Sequence, residues 1–201
     1  VAETPFFSRS VSEFVLNKPR TEYTIYPDII WNYEALKNNV QAEPVSVAVK
    51  VEMNGDDLGQ RVRTFSVRSI NECLLGYVAN GTKFYDTSIF FAAYVNEENP
   101  MIDQLLREAL NTRIVNRFLG YQSKAKGVED KQVYALWNIL QKRKFRYSSV
   151  SNTSLSSNVV FSQRVRTFDD ALDSSQINCV DGSVLFASLL RSINIDPSLV
   201  R

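Results

Sequence analysis

The stretch that decides the fold spans residues 176 to 201 and reads QINCVDGSVLFASLLRSINIDPSLVR. A loop turns into an apolar helix within it, and we expect that helix to run from about Cys179 to about Ser192. Asn194 or Ile195 closes the helix, because Pro197 prevents its continuation. Residues 198 to 201 then look like the opening of a strand.

Two further helices are predicted upstream of this stretch. Asn99 has the character of an N-cap with Pro100 at the first helical position, and an apolar stripe at helical spacing runs on to Leu119 and stops at Gly120. The second helix is predicted over residues 128 to 142. Its apolar residues at i, i+3, i+4 and i+7 predict the buried face, which comprises Val133, Leu136, Trp137 and Leu140.

Residues 148 to 158, SSVSNTSLSSN, separate the second helix from the third. They hold seven serines or threonines and no charge, which predicts a loop, and a mobile one. With the three helices this loop belongs to a predicted second domain over residues 97 to 201.

The first half of the chain follows a period of two rather than 3.6. Turn signals at Asn54-Gly55 and Asn80-Gly81 separate its apolar segments, and residues 33 to 40 fit a short helix or a loop. Short strands between turns favour an antiparallel β-sandwich over residues 1 to 96, so the predicted fold class is α+β. The segments predicted as strands are 45–51, 61–68, 73–78 and 88–95.

The composition excludes several classes of protein. Twenty-three basic against 22 acidic residues leave a formal net charge of +1, which argues against a nucleic-acid partner. There is no histidine, so no histidine-based triad, general base or zinc site is completed within these 201 residues. We find no phosphate-binding loop, dinucleotide fingerprint or calcium loop and expect no cofactor and no metal. No apolar run approaches 18 residues, which excludes a transmembrane helix.

Cys179 is the one chemical signal, because it stands where the loop becomes the apolar helix. A thiol at a helix N-terminus faces unpaired amides and the positive end of the helix dipole, and both favour the thiolate. The same amides can hold a developing oxyanion in acyl transfer. The alternative interpretation is a small buried residue that packs the helix start. Cys73 lies in an apolar run and is predicted to be core.

Residues 176 to 201 resemble the nucleophile segment of the transglutaminase-like superfamily, whose core is papain-like. Members place a cysteine at the start of a long buried helix that ends in Leu-Leu-Arg, followed by a break with proline and the first strand of the catalytic sheet. Here those features are Cys179, Leu189-Leu190-Arg191 and Pro197. Residues 133–137, 145–147 and 168–172 are similar to the segments that precede the cysteine helix.

The resemblance, which covers residues 97 to 201, implies a cysteine hydrolase or acyltransferase that acts on amide or peptide bonds of a protein or peptide substrate. It implies the nucleophile role for Cys179 alone. The family's histidine and aspartate lie on strands after the cysteine helix, so we expect a domain truncated before its catalytic sheet and inactive as this chain. The residue pair after the cysteine, Val180-Asp181, departs from the family's usual bulky or aromatic residue or Gly-Asp pair.

Three residues are candidates for supporting Cys179, and each has a plainer interpretation. Asp181 is more readily a cap of the first helical turn than a chemical group. Trp137 fits a hydrophobic wall over the thiol, but core packing is the commoner role of such a residue. Gln176 lies three residues before the cysteine, on the approach to the helix.

A second hypothesis is a non-catalytic extracellular binding or adhesion protein that uses the surface of the sandwich. The first five residues, VAETP, suit the stretch after a removed export signal as well as an arbitrary boundary, and we favour an exported protein over a cytoplasmic one. A helix-strand unit without its following strands leaves a strand edge open, so we also expect self-association there or local disorder after Leu190.

Overall fold

The computed structural model describes residues 1–123, 125–148 and 157–200, and in them the chain is mixed α+β with mostly antiparallel strand pairing. The fold class α+β is therefore confirmed. The predicted mobile loop over 148–158 lies mostly outside the described residues. The chain divides into two compact units, Val1–Ile70 and Asn71–Arg201.

The first unit contains a helix and a long hairpin. Helix α1 (Tyr33–Asn38) precedes strands β1 (Glu43–Met53) and β2 (Asp56–Val67), which pair antiparallel. Asn54 and Gly55 both have positive φ, 53° and 92°, so the turn that the sequence predicts has the primed geometry that suits the twist of a hairpin.

A small core holds the base of this hairpin. Phe6, Phe7 and Val45 are buried together. The Phe7 and Trp31 rings form a T-shaped pair, with 5.6 Å between their centroids. The amide of Ala2 donates to the carbonyl of Ala48, which places the N-terminal residues along β1. Among the described residues of this unit, the one sheet is the two-stranded pair β1–β2. A sandwich needs two sheets packed face to face, so the predicted β-sandwich is not seen in this unit.

The second unit begins with a three-stranded sheet of order β4-β3-β6. Strands β3 (Glu72–Ala79) and β4 (Lys83–Asp86) are joined at the predicted Asn80-Gly81 turn, and β6 (Val160–Arg164) pairs with β3 from far along the chain. This long-range pairing puts residues 71–96 into the second unit, so the boundary between the units lies earlier than the predicted one at 96/97.

The helices of the second unit build its main core. They are α2 (Pro100–Asn111), α3 (Val128–Lys142), α4 (Phe168–Ser174) and α5 (Cys179–Ser192). Ile102, Leu136 and Leu189 are among the fully buried residues where α2, α3 and α5 meet. Strands β5 (Arg146–Tyr147) and β7 (Gln176–Ile177) form a short parallel pair ahead of α5. No helix in the described ranges is long and apolar enough to span a bilayer.

Two predicted elements are wrong. The apolar run 88–95 is a 3-10 helix (Ser88–Tyr94) instead of a strand, because the Asp86 carboxylate accepts from the Ser88 amide and turns the chain out of β4. Helix α2 stops at Asn111 instead of Gly120, since the Thr112 hydroxyl donates to the carbonyl of Ala109 and Arg113 takes a left-handed φ of 60°.

Helix α3 has the predicted bounds but is rotated from its predicted face. Gln132, Ala135, Leu136 and Ile139 are its buried residues. Trp137, predicted to be buried, is 49% exposed. The apolar character of the indole predicts a core position, whereas one of the three fully buried positions on this helix belongs to the polar Gln132.

Gly76 in β3 is expected not to tolerate a side chain. A Cβ there would collide with the Phe84 ring and lie 2.7 Å from the Tyr85 carbonyl oxygen. We expect Gly76→Ala to lower the free energy of unfolding by about 1–3 kcal/mol, as overpacking does. Gly182 lies in α5, and a Cβ there would contact only the Ile177 side chain, at 3.4 Å, an ordinary van der Waals distance. Gly182→Ala should therefore raise the free energy of unfolding by about 0.5–1 kcal/mol. Urea denaturation measures both, and equal effects would contradict the argument.

Candidate functional site

The start of α5 is fixed by a reciprocal pair of side-chain hydrogen bonds. Asn178 is the N-cap, and its Oδ1 accepts from the Asp181 amide at 2.8 Å. The Asp181 Oδ2 accepts in return from the Asn178 amide at 2.9 Å. Two amide donors of the helix start are satisfied in this way, which makes the predicted capping role of Asp181 correct.

Asp181 also forms a buried ion pair. Its side chain is 1% exposed, and its Oδ2 lies 2.7 Å from Nη1 of Arg166, whose side chain is 10% exposed. The Arg166 amide donates to Oδ1 at 2.8 Å, and Nη2 donates to the Ser148 hydroxyl at 2.9 Å. A carboxylate out of water is stable only with such charged and hydrogen-bonded partners, so this network holds the helix start rigidly in place.

Cys179 is the first residue of α5, and it is exposed and free. The amides of Cys179 and Val180 donate no hydrogen bond to any residue in the described ranges, whereas the next two amides bond to Asn178. An exposed thiol therefore stands beside two unpaired amides at the positive end of a 14-residue helix.

Cys73 provides the contrast within the same unit. It is a free thiol in β3 with 1% of its surface exposed, as its apolar context predicts. Burial raises the pKa of the Cys73 thiol to about 11, because the interior disfavours the charged thiolate. The two cysteines of the chain thus have opposite environments.

The parallel pair β5–β7 positions Gln176 close to the helix start. The Arg146 amide donates to the Ser175 carbonyl, and the Ser148 amide donates to the Ile177 carbonyl, both at 2.9 Å. Gln176 is an exposed residue of β7, two residues before the N-cap. The hydroxyl of Ser148 accepts from Arg166, so Ser148 links the β5–β7 pair to Arg166.

Trp137 lies along α5 rather than at its start. Its ring meets the Phe186 ring edge-on, with 6.0 Å between centroids. Phe186 follows Cys179 by two helical turns, about 10 Å along the axis at 1.5 Å per residue. The structure thus brings Asp181 and Gln176 to the same helix end as Cys179, and it pairs Trp137 with a residue further along the helix.

Three residues of this arrangement were not singled out from the sequence: Asn178, Arg166 and Ser148. The spacing of Asn178 and Asp181 is that of a capping box and was a usable signal. Arg166 and Ser148 carry no comparable local signal, because they come from segments that only the tertiary fold brings to the helix start.

Comparison with protein-family models, with curated proteins and with solved structures finds no match to this chain. The arrangement at α5 is therefore interpreted from its own geometry and chemistry.

Proposed function

We propose that the chain is part of a transglutaminase-like cysteine hydrolase or acyltransferase that acts on amide or peptide bonds, with Cys179 as its nucleophile. The observation that carries the proposal is the exposed thiol beside the two unpaired amides of Cys179 and Val180. The α-helical region from α2 to α5 would be the helical half of the catalytic domain, and export of the protein stays part of the proposal.

The chemistry follows from this placement. The thiolate sulfur attacks the carbonyl carbon, a C–S bond forms, and the carbonyl oxygen takes up negative charge near the two amides. The C–N bond then breaks and the amine leaves with the proton that the thiol gave up. Water or a second amine attacks the resulting thioester, which releases an acid or a new amide and restores the thiol.

Asp181 and Arg166 act in this scheme as positioning residues. Their ion pair and hydrogen bonds hold Asn178 and the first turn of α5, and so hold the two amides next to the sulfur. Trp137, packed on Phe186, would line an apolar wall along the same helix. The chain has no histidine, so the general base is not a histidine of these 201 residues; the resemblance places it on a later strand.

Thiol acylation by p-nitrophenyl acetate near pH 7 tests the site, because an activated ester needs little help from a base. We expect Cys179 in the folded chain to form an acetyl thioester at least about tenfold faster than the same residue in urea, since each oxyanion donor has a large effect on acyl transfer. Mass spectrometry of peptides locates the adduct, and p-nitrophenol absorbance gives the rate.

Cys73 is the internal control for that experiment, and Cys179→Ala is the matched variant. The folded chain should acylate only Cys179, while the unfolded chain acylates both thiols. Cys179→Ala should keep its far-ultraviolet circular dichroism and lose the adduct. Equal rates for Cys179 in the folded and unfolded chain would end the proposal.

A second candidate function is that of a non-catalytic extracellular binding or adhesion protein. The observation in its favour is β2, which is exposed along nearly its whole length and carries large apolar side chains at Leu58, Val62 and Phe65. Exposed apolar residues on a strand are typical of a recognition surface. The described residues 198 to 200 are not part of a strand. Self-association of the chain stays a prediction, and the oligomeric state in solution tests it.

A further inference from the structure

The outer edge of β2 is open among the described residues. β2 bonds to β1 on one side, and its regular part, residues 60 to 66, makes no backbone hydrogen bond to any other described residue. Ala48 uses its carbonyl to accept from Ala2, on the side away from β2, so Ala48 and Val62 are a non-hydrogen-bonded pair. The backbone groups of Val62, and by alternation those of Gln60 and Thr64, therefore point outward.

The side chains on one face of this edge are two arginines and a phenylalanine. Arg61, Arg63 and Phe65 alternate along β2 and so share one face. No acidic side chain in the described ranges pairs with either arginine. On the opposite face Lys50 is already paired with Glu52 at 2.6 Å and Asp57 at 3.1 Å. The hairpin as a whole has one more acidic than basic residue, but its acidic residues lie near its two ends. The two arginines that lack an acidic partner among the described residues lie in the middle of the open edge.

We propose that the β2 edge binds an extended acidic peptide segment of a partner protein as a third strand. This proposal rests on the second candidate function and is independent of Cys179. In an added strand the residues opposite Arg61 and Arg63 form non-hydrogen-bonded pairs, in which side chains approach most closely. An antiparallel strand with carboxylates two residues apart would meet both arginines, and an apolar residue two positions before the first carboxylate would meet Phe65.

A second copy of this chain fits the edge less well. In a symmetric antiparallel pairing centred on Val62, Arg61 of one copy faces Arg63 of the other at both ends. Like charges directly opposite one another destabilise a strand pair. A register centred on Gln60 runs into the irregularity near Gly59, where the pairing with β1 shifts register between Lys50 and Glu52. A register centred on Thr64 avoids it but places Phe65 and Val67 opposite the arginines, so neither arginine gains a carboxylate. An acidic partner strand has none of these difficulties.

The test is fluorescence anisotropy of the full chain with a fluorescein-labelled peptide in which glutamate alternates with valine. We expect the peptide to bind, and Arg61→Gln/Arg63→Gln to weaken binding by about tenfold, on the basis of two lost cross-strand charge pairs. The control Arg9→Gln/Lys18→Gln removes the same charge from exposed positions of the same unit and should change affinity less than about twofold.

A backbone variant separates strand addition from simple charge attraction. Val62→Pro removes an outward amide and leaves the bonds to β1 in place, so it should abolish binding while circular dichroism stays unchanged. No binding of the glutamate peptide, equal binding of a lysine–valine peptide, or equal effects of the two double variants would overturn the proposal. So would a dimer of the chain that Val62→Pro converts to monomer. Cys179→Ala should leave peptide binding unchanged, so failure here is distinguishable from failure of the catalytic proposal.

Discussion

Replacing Arg166 with alanine should lower the free energy of unfolding of the second unit by about 3–5 kcal/mol. The variant leaves the Asp181 carboxylate, 1% exposed, without its cationic partner, and an unpaired buried charge is far costlier than a lost surface contact. The Ser148 hydroxyl loses its guanidinium donor as well. Because Asp181 also caps α5, the start of that helix should loosen before the rest of the unit unfolds.

The measurement is urea denaturation followed by tryptophan emission. Trp31 lies in the first unit and Trp137 in the second, so a Trp31→Phe background makes the emission report the second unit alone. Arg191→Ala is the matched control. It removes an arginine whose 2.7 Å ion pair with Glu97 is largely in solvent, and solvent screening makes such pairs weak.

Arg166→Lys distinguishes charge from geometry. Lysine keeps the positive charge but has no planar fork to reach Asp181 and Ser148 together, so it should recover only part of the lost stability. If Arg166→Ala costs no more than Arg191→Ala, the ion pair does not hold the start of α5, and the positioning role assigned to it fails.

The elements that the sequence predicts correctly are those with strong local signals. Asn99 with Pro100 starts α2, Asn54-Gly55 turns the hairpin, and α3 and α5 have the predicted bounds. Each of these features is set by residues a few positions apart in sequence. At that range, helix capping, proline geometry and left-handed φ angles act directly on the backbone.

The features that the sequence does not predict have two causes: contacts between segments distant in sequence, and local hydrogen bonds that override an apolar pattern. β3 pairs with β6 across about two thirds of the length of the unit, and no pattern within residues 72–79 specifies that partner. The run 88–95 is apolar, yet a single aspartate, Asp86, turns it into a 3-10 helix. Distance in sequence also separates the two parts of the site: a local motif predicts Cys179 and Asp181 at the helix start, whereas Arg166 reaches Asp181 from 15 residues away.

Gln132 gives the second large effect, because a buried polar side chain organises the segment between α2 and α3. It is fully buried, and its Oε1 accepts from the amides of Leu119 and Gly120 at 2.6 and 3.0 Å. Its Nε2 donates to the Gly120 carbonyl at 3.1 Å. One amide side chain therefore satisfies three backbone groups of a segment that the sequence predicted to be helical.

Gln132→Leu should destabilise the second unit by about 2–5 kcal/mol, because leucine fits the volume but leaves buried amides without acceptors. Gln141→Leu is the control on the exposed side of the same helix and should change stability by less than about 0.5 kcal/mol. Urea denaturation on the Trp31→Phe background measures both. The Leu119 and Gly120 amides should also lose hydrogen-exchange protection in Gln132→Leu alone. Retained protection would show that those amides have another acceptor and that the segment is held independently of Gln132.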